Sequence, residues 1–190
     1  MATYAVSSVD IVQSSRRALN DIVKLDMMMQ ENSGRIIEVW MQYHSTKKDA
    51  AASVLSRPEY DTLTFRIKKC PIVILPVHRP EGYQAFLVKF DELRAFVTTL
   101  EEYKEKGENA EPVLAWSLHP DMLEEKGMAL ARADFVASCL TKDEANKLIA
   151  DLTYCYVDSK MFKEVMKLNQ NPTEFDWNDF VQKLGQRHTP

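Results

Sequence analysis

Apolar residues recur at helical spacing up to about residue 68, turn to short β-like runs between residues 72 and 135, and return to helical spacing afterwards. Val12, Leu19, Val23 and Met27 fall near one stripe, with Ile22 beside them, and predict one amphipathic helix over residues 10–31. Asn32, Ser33 and Gly34 break it. Ile36, Ile37, Trp40 and Tyr43 share a face of a second helix over 35–46, and 47–55 reads as a short third one. Ser56 and Glu59 have capping-box spacing, with Pro58 in the first turn of a helix running to about Lys68.

After Pro71 the pattern changes. Ile72–Leu75, Tyr83–Phe90, Leu93–Thr98, Val113–Leu118 and Met128–Phe135 are short and rich in β-branched or aromatic residues, and they predict strands. Arg79–Gly82 reads as a tight connection between the first two, with Gly82 free to take positive φ. Helical turns over 99–107 and 121–126 each end at a glycine, Gly107 and Gly127. Thr141 and Glu144 open a long helix to about Tyr156, and two more cover 158–168 and 176–184. Helices, then strands, then helices is an α+β order, and the short connections require a mainly antiparallel central sheet flanked by helices. The expected division is an N-terminal helical arm, residues 1–56, and an α+β core domain, residues 57–190.

Composition narrows the class. A chain of 190 residues with a net charge of −4 is long enough to bury a core without staples, and it lacks the basic excess of a nucleic-acid binder. Five glycines leave no room for a glycine-rich phosphate loop. Three widely spaced cysteines, Cys70, Cys139 and Cys155, are neither a disulfide framework nor a zinc motif and fit a reducing compartment. No run is apolar enough for membrane insertion. Ser7, Ser8, Ser14, Ser15, Arg16, Arg17 and Lys24 give the first 25 residues some character of an organellar transit peptide; Asp10 and Asp21 count against it, and both readings stay open.

Residues 70–90, CPIVILPVHRPEGYQAFLVKF, concentrate the reactive side chains Cys70, His78, Arg79 and Glu81. Cys70 as nucleophile with His78 as base is one reading; a small apolar cysteine at the start of a buried strand is the other and the favoured one. The four histidines, His44, His78, His119 and His188, show no metal-ligand spacing, and the pairs Glu101–Glu102 and Glu124–Glu125 sit on exposed helices. No cofactor site is expected. Trp40, Trp116 and Trp177 each lie in an amphipathic segment, where core packing is the default and partner contact the alternative.

An ordered set of short signatures adds to this. Trp40 and Tyr43 precede Glu59-Tyr60, Cys70-Pro71, Leu75-Pro76, Arg79 and Glu81-Gly82-Tyr83 with Phe86. Leu100-Glu101-Glu102-Tyr103, Gly107-Glu108-Asn109-Ala110, Glu125-Lys126-Gly127 with Leu130, Asn169, Pro172-Thr173-Glu174-Phe175 and Trp177 follow. Over roughly residues 35–185 the chain resembles the mitochondrial ATP synthase assembly-factor family, in particular the chaperone of the catalytic-head beta subunit. It departs from the family at Glu111, where a second proline is usual, at Leu118-His119-Pro120, where a histidine stands elsewhere, and at Ala133, which often matches a glycine.

The resemblance implies a non-enzymatic role in the mitochondrial matrix. Such a chaperone binds the free ATP synthase beta subunit, keeps it soluble and hands it to the alpha subunit, and a monomer is expected. The partner surface is expected on the sheet face with Leu114 and Trp116, or on the arm with Trp40, Met27 and Met28, since methionine adapts to irregular apolar surfaces. The rival readings are a small-molecule enzyme around Cys70, His78, Arg79 and His119, and a generic helix- or peptide-binding module.

Overall fold

In the computed structural model, which describes residues 6–187, one six-stranded sheet separates two layers of helices. The chain begins with α1 (Ser8–Ser14), α2 (Leu25–Met29) and α3 (Ser33–Ser45). Strand β1 (Ala50–Ser56) and helix α4 (Arg57–Ile67) follow, then the meander β2 (Ile72–Arg79), β3 (Gly82–Asp91) and β4 (Arg94–Thr99). Helix α5 (Leu100–Lys106), β5 (Leu114–His119), α6 (Leu123–Lys126) and β6 (Met128–Phe135) complete the sheet. Three helices close the chain: α7 (Lys142–Val157), α8 (Ser159–Gln170) and α9 (Trp177–Gln186). The strand order is β1-β6-β5-β4-β3-β2 and every pairing is antiparallel, as the short connections require.

Strand alternation divides the core in two. Leu75, Phe86, Val97, Trp116, Ala133 and Phe135 point to one face, against α4, α7, α8 and α9. Helix α7 buries Ala145, Leu148, Ile149, Leu152 and Tyr156, an i, i+3, i+4 stripe, and its Thr141–Glu144 capping box is formed. Tyr156 reaches the start of β2, where its hydroxyl donates to the Cys70 carbonyl at 2.6 Å. The second face holds a smaller cluster in which Leu19, Met28, Ile36 and Trp40 cover Met128 and Leu130 of β6.

The β2–β3 hairpin pairs Arg79 with Gly82 across a two-residue turn, and Gly82 takes φ +134°. Gly107 and Gly127 end α5 and α6 at φ +59° and +68°, a backbone that a side chain disfavours.

Two expected elements differ. The single helix over 10–31 is instead two short helices joined by a 3-10 turn at Leu19–Asp21. Polar side chains there take up backbone groups that a continuous helix would use. Ser15 Oγ donates to the Val12 carbonyl, Asp21 accepts from the Ala18 amide and Asn20 from the Leu25 amide. In pieces, the segment lays Ile11, Leu19 and Met28 onto a twisted sheet, which one straight helix would leave. The short helix over 47–55 is strand β1. Its alanines favour helix in isolation, but Ala50 and Ala51 are fully or almost fully buried, and pairing with β6 decides their conformation. The boundary expected at residue 56 thus falls directly after an edge strand. Residues 1–5 of the transit-like segment, and His188, lie outside the described residues.

Candidate protein-binding surface

The sheet keeps the reactive side chains of residues 70–90 apart. Cys70 precedes β2 and His78 stands near its far end, about 25 Å away at a strand's rise per residue. Cys70 is fully buried, and burial raises its thiol pKa. His78 packs its ring near Tyr83, and Arg79 is bonded to Glu144 (3.1 Å) and the Cys139 carbonyl (2.8 Å). His119 is on β5, buried, with its pKa lowered chiefly by desolvation. The four side chains thus share no site. Among the described residues no group of histidine, cysteine or carboxylate side chains is placed to hold a metal ion, and no helix is long and apolar enough to cross a membrane.

The expected partner-contact residues divide sharply by burial. Leu114 and Trp116 are fully buried in the larger core cluster. Trp40 is fully buried too, and its indole Nε1 donates to the Ala131 carbonyl at 3.3 Å. Met28 faces the second cluster, and only Met27, 62% exposed, stands in solvent. These side chains were expected at a surface because an amphipathic stripe looks alike whether a sheet or a partner covers it. Trp177 is half-buried, its Nε1 donating to the Tyr83 hydroxyl at 2.7 Å.

One accessible apolar stripe lies beside the buried stripe of α3; Val9 of α1, Phe65 of α4 and Tyr83 of β3 are exposed elsewhere. Asn32 caps α3, its side chain accepting from the Arg35 amide at 3.0 Å. Ile36, Trp40 and His44, four residues apart, face the sheet. Ile37 and Met41, also four apart, form the neighbouring stripe and stay exposed, with Tyr43 further round. His44 fixes the C-terminal end: its Nδ1 donates to the Trp40 carbonyl at 2.9 Å, and desolvation pushes its pKa down to about 4. The ring is neutral at neutral pH, and its Nε2 is a buried acceptor without a partner. Lys142 of α7 completes the corner, giving its three protons to the carbonyls of His44, Ser45 and Lys47 at 2.6, 2.9 and 2.6 Å. Between Met41, Lys142 and strand β1 lies a recess of about 110 Å³.

A broader concavity of about 420 Å³ opens on the same face of the sheet, between α1 and the segment after α5. Phe96 lies in it, with the ion pairs of Lys89 with Glu108, which also accepts from Tyr103, and of Arg94 with Asp91; Arg16, which also lines it, has no ion pair among the described residues.

A family model described as ATP11 protein matches residues 3–181. The chain is 27% identical over 172 residues to the zebrafish (Danio rerio) ATP synthase mitochondrial F1 complex assembly factor 1, covering 90% of this chain and 57% of that protein. The human (Homo sapiens) protein of the same name is 25% identical over the same share of this chain and 52% of its own length. The fission yeast (Schizosaccharomyces pombe) Protein atp11, mitochondrial, is 23% identical over 150 residues, 76% of this chain and 52% of that protein. The chain spans about half the length of the curated relatives it matches. Because one family model takes in nearly all of it, the chain belongs to the ATP11 protein family.

Proposed function

We propose that this chain is a mitochondrial F1 assembly factor that binds the free beta subunit of the ATP synthase catalytic head in the matrix and yields it to the alpha subunit. The observation that carries this reading is the exposed apolar surface of Met27, Ile37 and Met41, on a chain whose reactive side chains are dispersed. Relatives named as F1 complex assembly factors support it. A beta subunit without alpha exposes apolar surface that aggregates. A cover for that surface must be weaker than the alpha–beta contact that replaces it. An interface of roughly 1,600 Å² is typical of such a complex, far more than three side chains supply, so they mark its centre rather than its extent. No cofactor takes part, and the chain works as a monomer.

The test is co-purification from mitochondrial extract with the tagged chain. Enrichment of beta over alpha is expected, reduced when Met27, Ile37 and Met41 are all replaced by glutamate. Equal recovery of both subunits, or of neither, contradicts the reading.

A further inference from the structure

The two edges of the sheet are finished differently. At the β2 edge, the bond from the Phe90 amide to the Pro71 carbonyl sets the parity, so Ile72, Ile74, Pro76 and His78 turn their main-chain groups outward. Asn169 closes Ile72 from both sides, accepting from its amide at 3.1 Å and donating to its carbonyl at 2.6 Å. Pro76, between Ile74 and His78, whose outward groups are unbonded among the described residues, has no amide to offer and interrupts the row of donors. These are the devices that keep a sheet edge from recruiting another strand.

The β1 edge has neither device. The Phe135 amide donates to the Asp49 carbonyl and the Arg57 amide to the Gly127 carbonyl, so the odd-numbered residues of β1 bond to β6. Ala52, 9% exposed, and Val54, half-buried, therefore point their amides and carbonyls away from the sheet, and no hydrogen bond among the described residues reaches them. Only the last outward residue, Ser56, is closed, by Glu59 at 2.8 Å. This edge borders two recesses. One is the space beside Met41 and Lys142; the other, about 210 Å³, lies between Ser53–Leu55 and the α7 residues Ala150, Thr153 and Val157. Ser53 Oγ faces this second recess as a buried group without a partner among the described residues.

We propose that the β1 edge is a strand-addition site that takes an extended segment of the client polypeptide, its main chain pairing with Ala52 and Val54. The unpaired donors and acceptors two residues apart specify an extended main chain, and the small side chains of Ala150 and Thr153 leave room above it. The edge lies between Met41 of α3 and Lys142 of α7, a narrow setting that favours a single extended segment over a second folded copy. Met41 borders the recess, so the added strand continues the apolar surface of α3. That the client is the beta subunit rests on the proposed function; strand addition itself does not.

The test uses the whole chain and an array of peptides of about ten residues, covering the F1 alpha and beta subunits. In the free chain, the Ala52 and Val54 amides are expected to exchange with solvent faster than those of Ala51 and Ser53. A bound peptide slows the first pair. Val54→Pro removes only an outward amide, so the β6 ladder and the thermal unfolding transition persist while peptide affinity falls at least about tenfold. Binding that leaves the Ala52 and Val54 amides unprotected, binding unchanged in Val54→Pro, or the absence of any binding peptide overturns the proposal. So does a dimer that Val54→Pro makes monomeric, which would give the edge to a second copy. Edge-binding peptides from alpha alone would keep strand addition and discard the beta-subunit reading. Beta capture that survives in Val54→Pro would do the reverse.

Discussion

Two buried polar groups on the second face of the sheet are sensitive points. Arg132 and Asp134, two residues apart on the same face of β6, form an ion pair with both side chains about nine-tenths buried, and Ser14 Oγ donates to Asp134 at 2.9 Å. Asp134→Ala leaves the guanidinium buried without its counter-charge and should cost about 3–5 kcal/mol in chemical denaturation, whereas Arg132→Leu with Asp134→Leu should recover much of that loss. His44 sets an acid limit. Its pKa is about 4 in the fold against an ordinary 6.5, so the unfolded chain binds the proton first as pH falls. The stability that its neutral form contributes is complete above pH 6.5 and is lost as pH drops towards 4, at most roughly 3 kcal/mol. Replacing His44 with glutamine should flatten the unfolding midpoint across that window; an unchanged slope would assign acid sensitivity to other groups. The sequence signals neither feature. Arg132 and Asp134 look like solvated strand residues until α1 is placed over them, and His44 is one of four histidines with no distinguishing neighbour.

At the scale of elements, contacts distant in sequence hold the edges of the sheet. Asn169 of α8 closes β2, and Lys142 of α7 ties down the last carbonyls of α3, which a helix end leaves open. Asn169→Ala exposes the amide and carbonyl of Ile72 and should destabilise the chain by about 1–3 kcal/mol. It should also raise its tendency to aggregate through the β2 edge, measurable as a faster rise in turbidity near the unfolding midpoint. Most elements were legible because their signals are local: capping boxes at Ser56 and Thr141, glycines at the ends of α5 and α6, and a tight turn between β2 and β3. Strand β1 was not, because Ala-Ala-Ala-Ser is a helix former by composition, and a strand here only through β6 and the helices around it. The first helices were legible as an apolar stripe but not as separate pieces, since the breaks depend on side chains bonding locally.

For the whole molecule, the reading turns on what the fold leaves uncovered. Leu114, Trp116 and Trp40 are consumed by the core, the default for the two tryptophans, and of the residues expected at a partner surface Met27 is the exposed one. Ile37 and Met41 become visible only once the rotation of α3 is known, and the open edge of β1 only once its pairing parity is known. A chaperone built this way offers a small apolar stripe beside an unfinished sheet, and it can release a client when a larger, better-matched surface competes. The most direct measurement is light scattering from isolated beta subunit warmed with an equimolar amount of this chain, followed by addition of alpha. The account predicts suppressed scattering, then displacement of the chain as an alpha–beta complex forms. Scattering unchanged by the chain, or a chain–beta complex that alpha fails to displace, would contradict it.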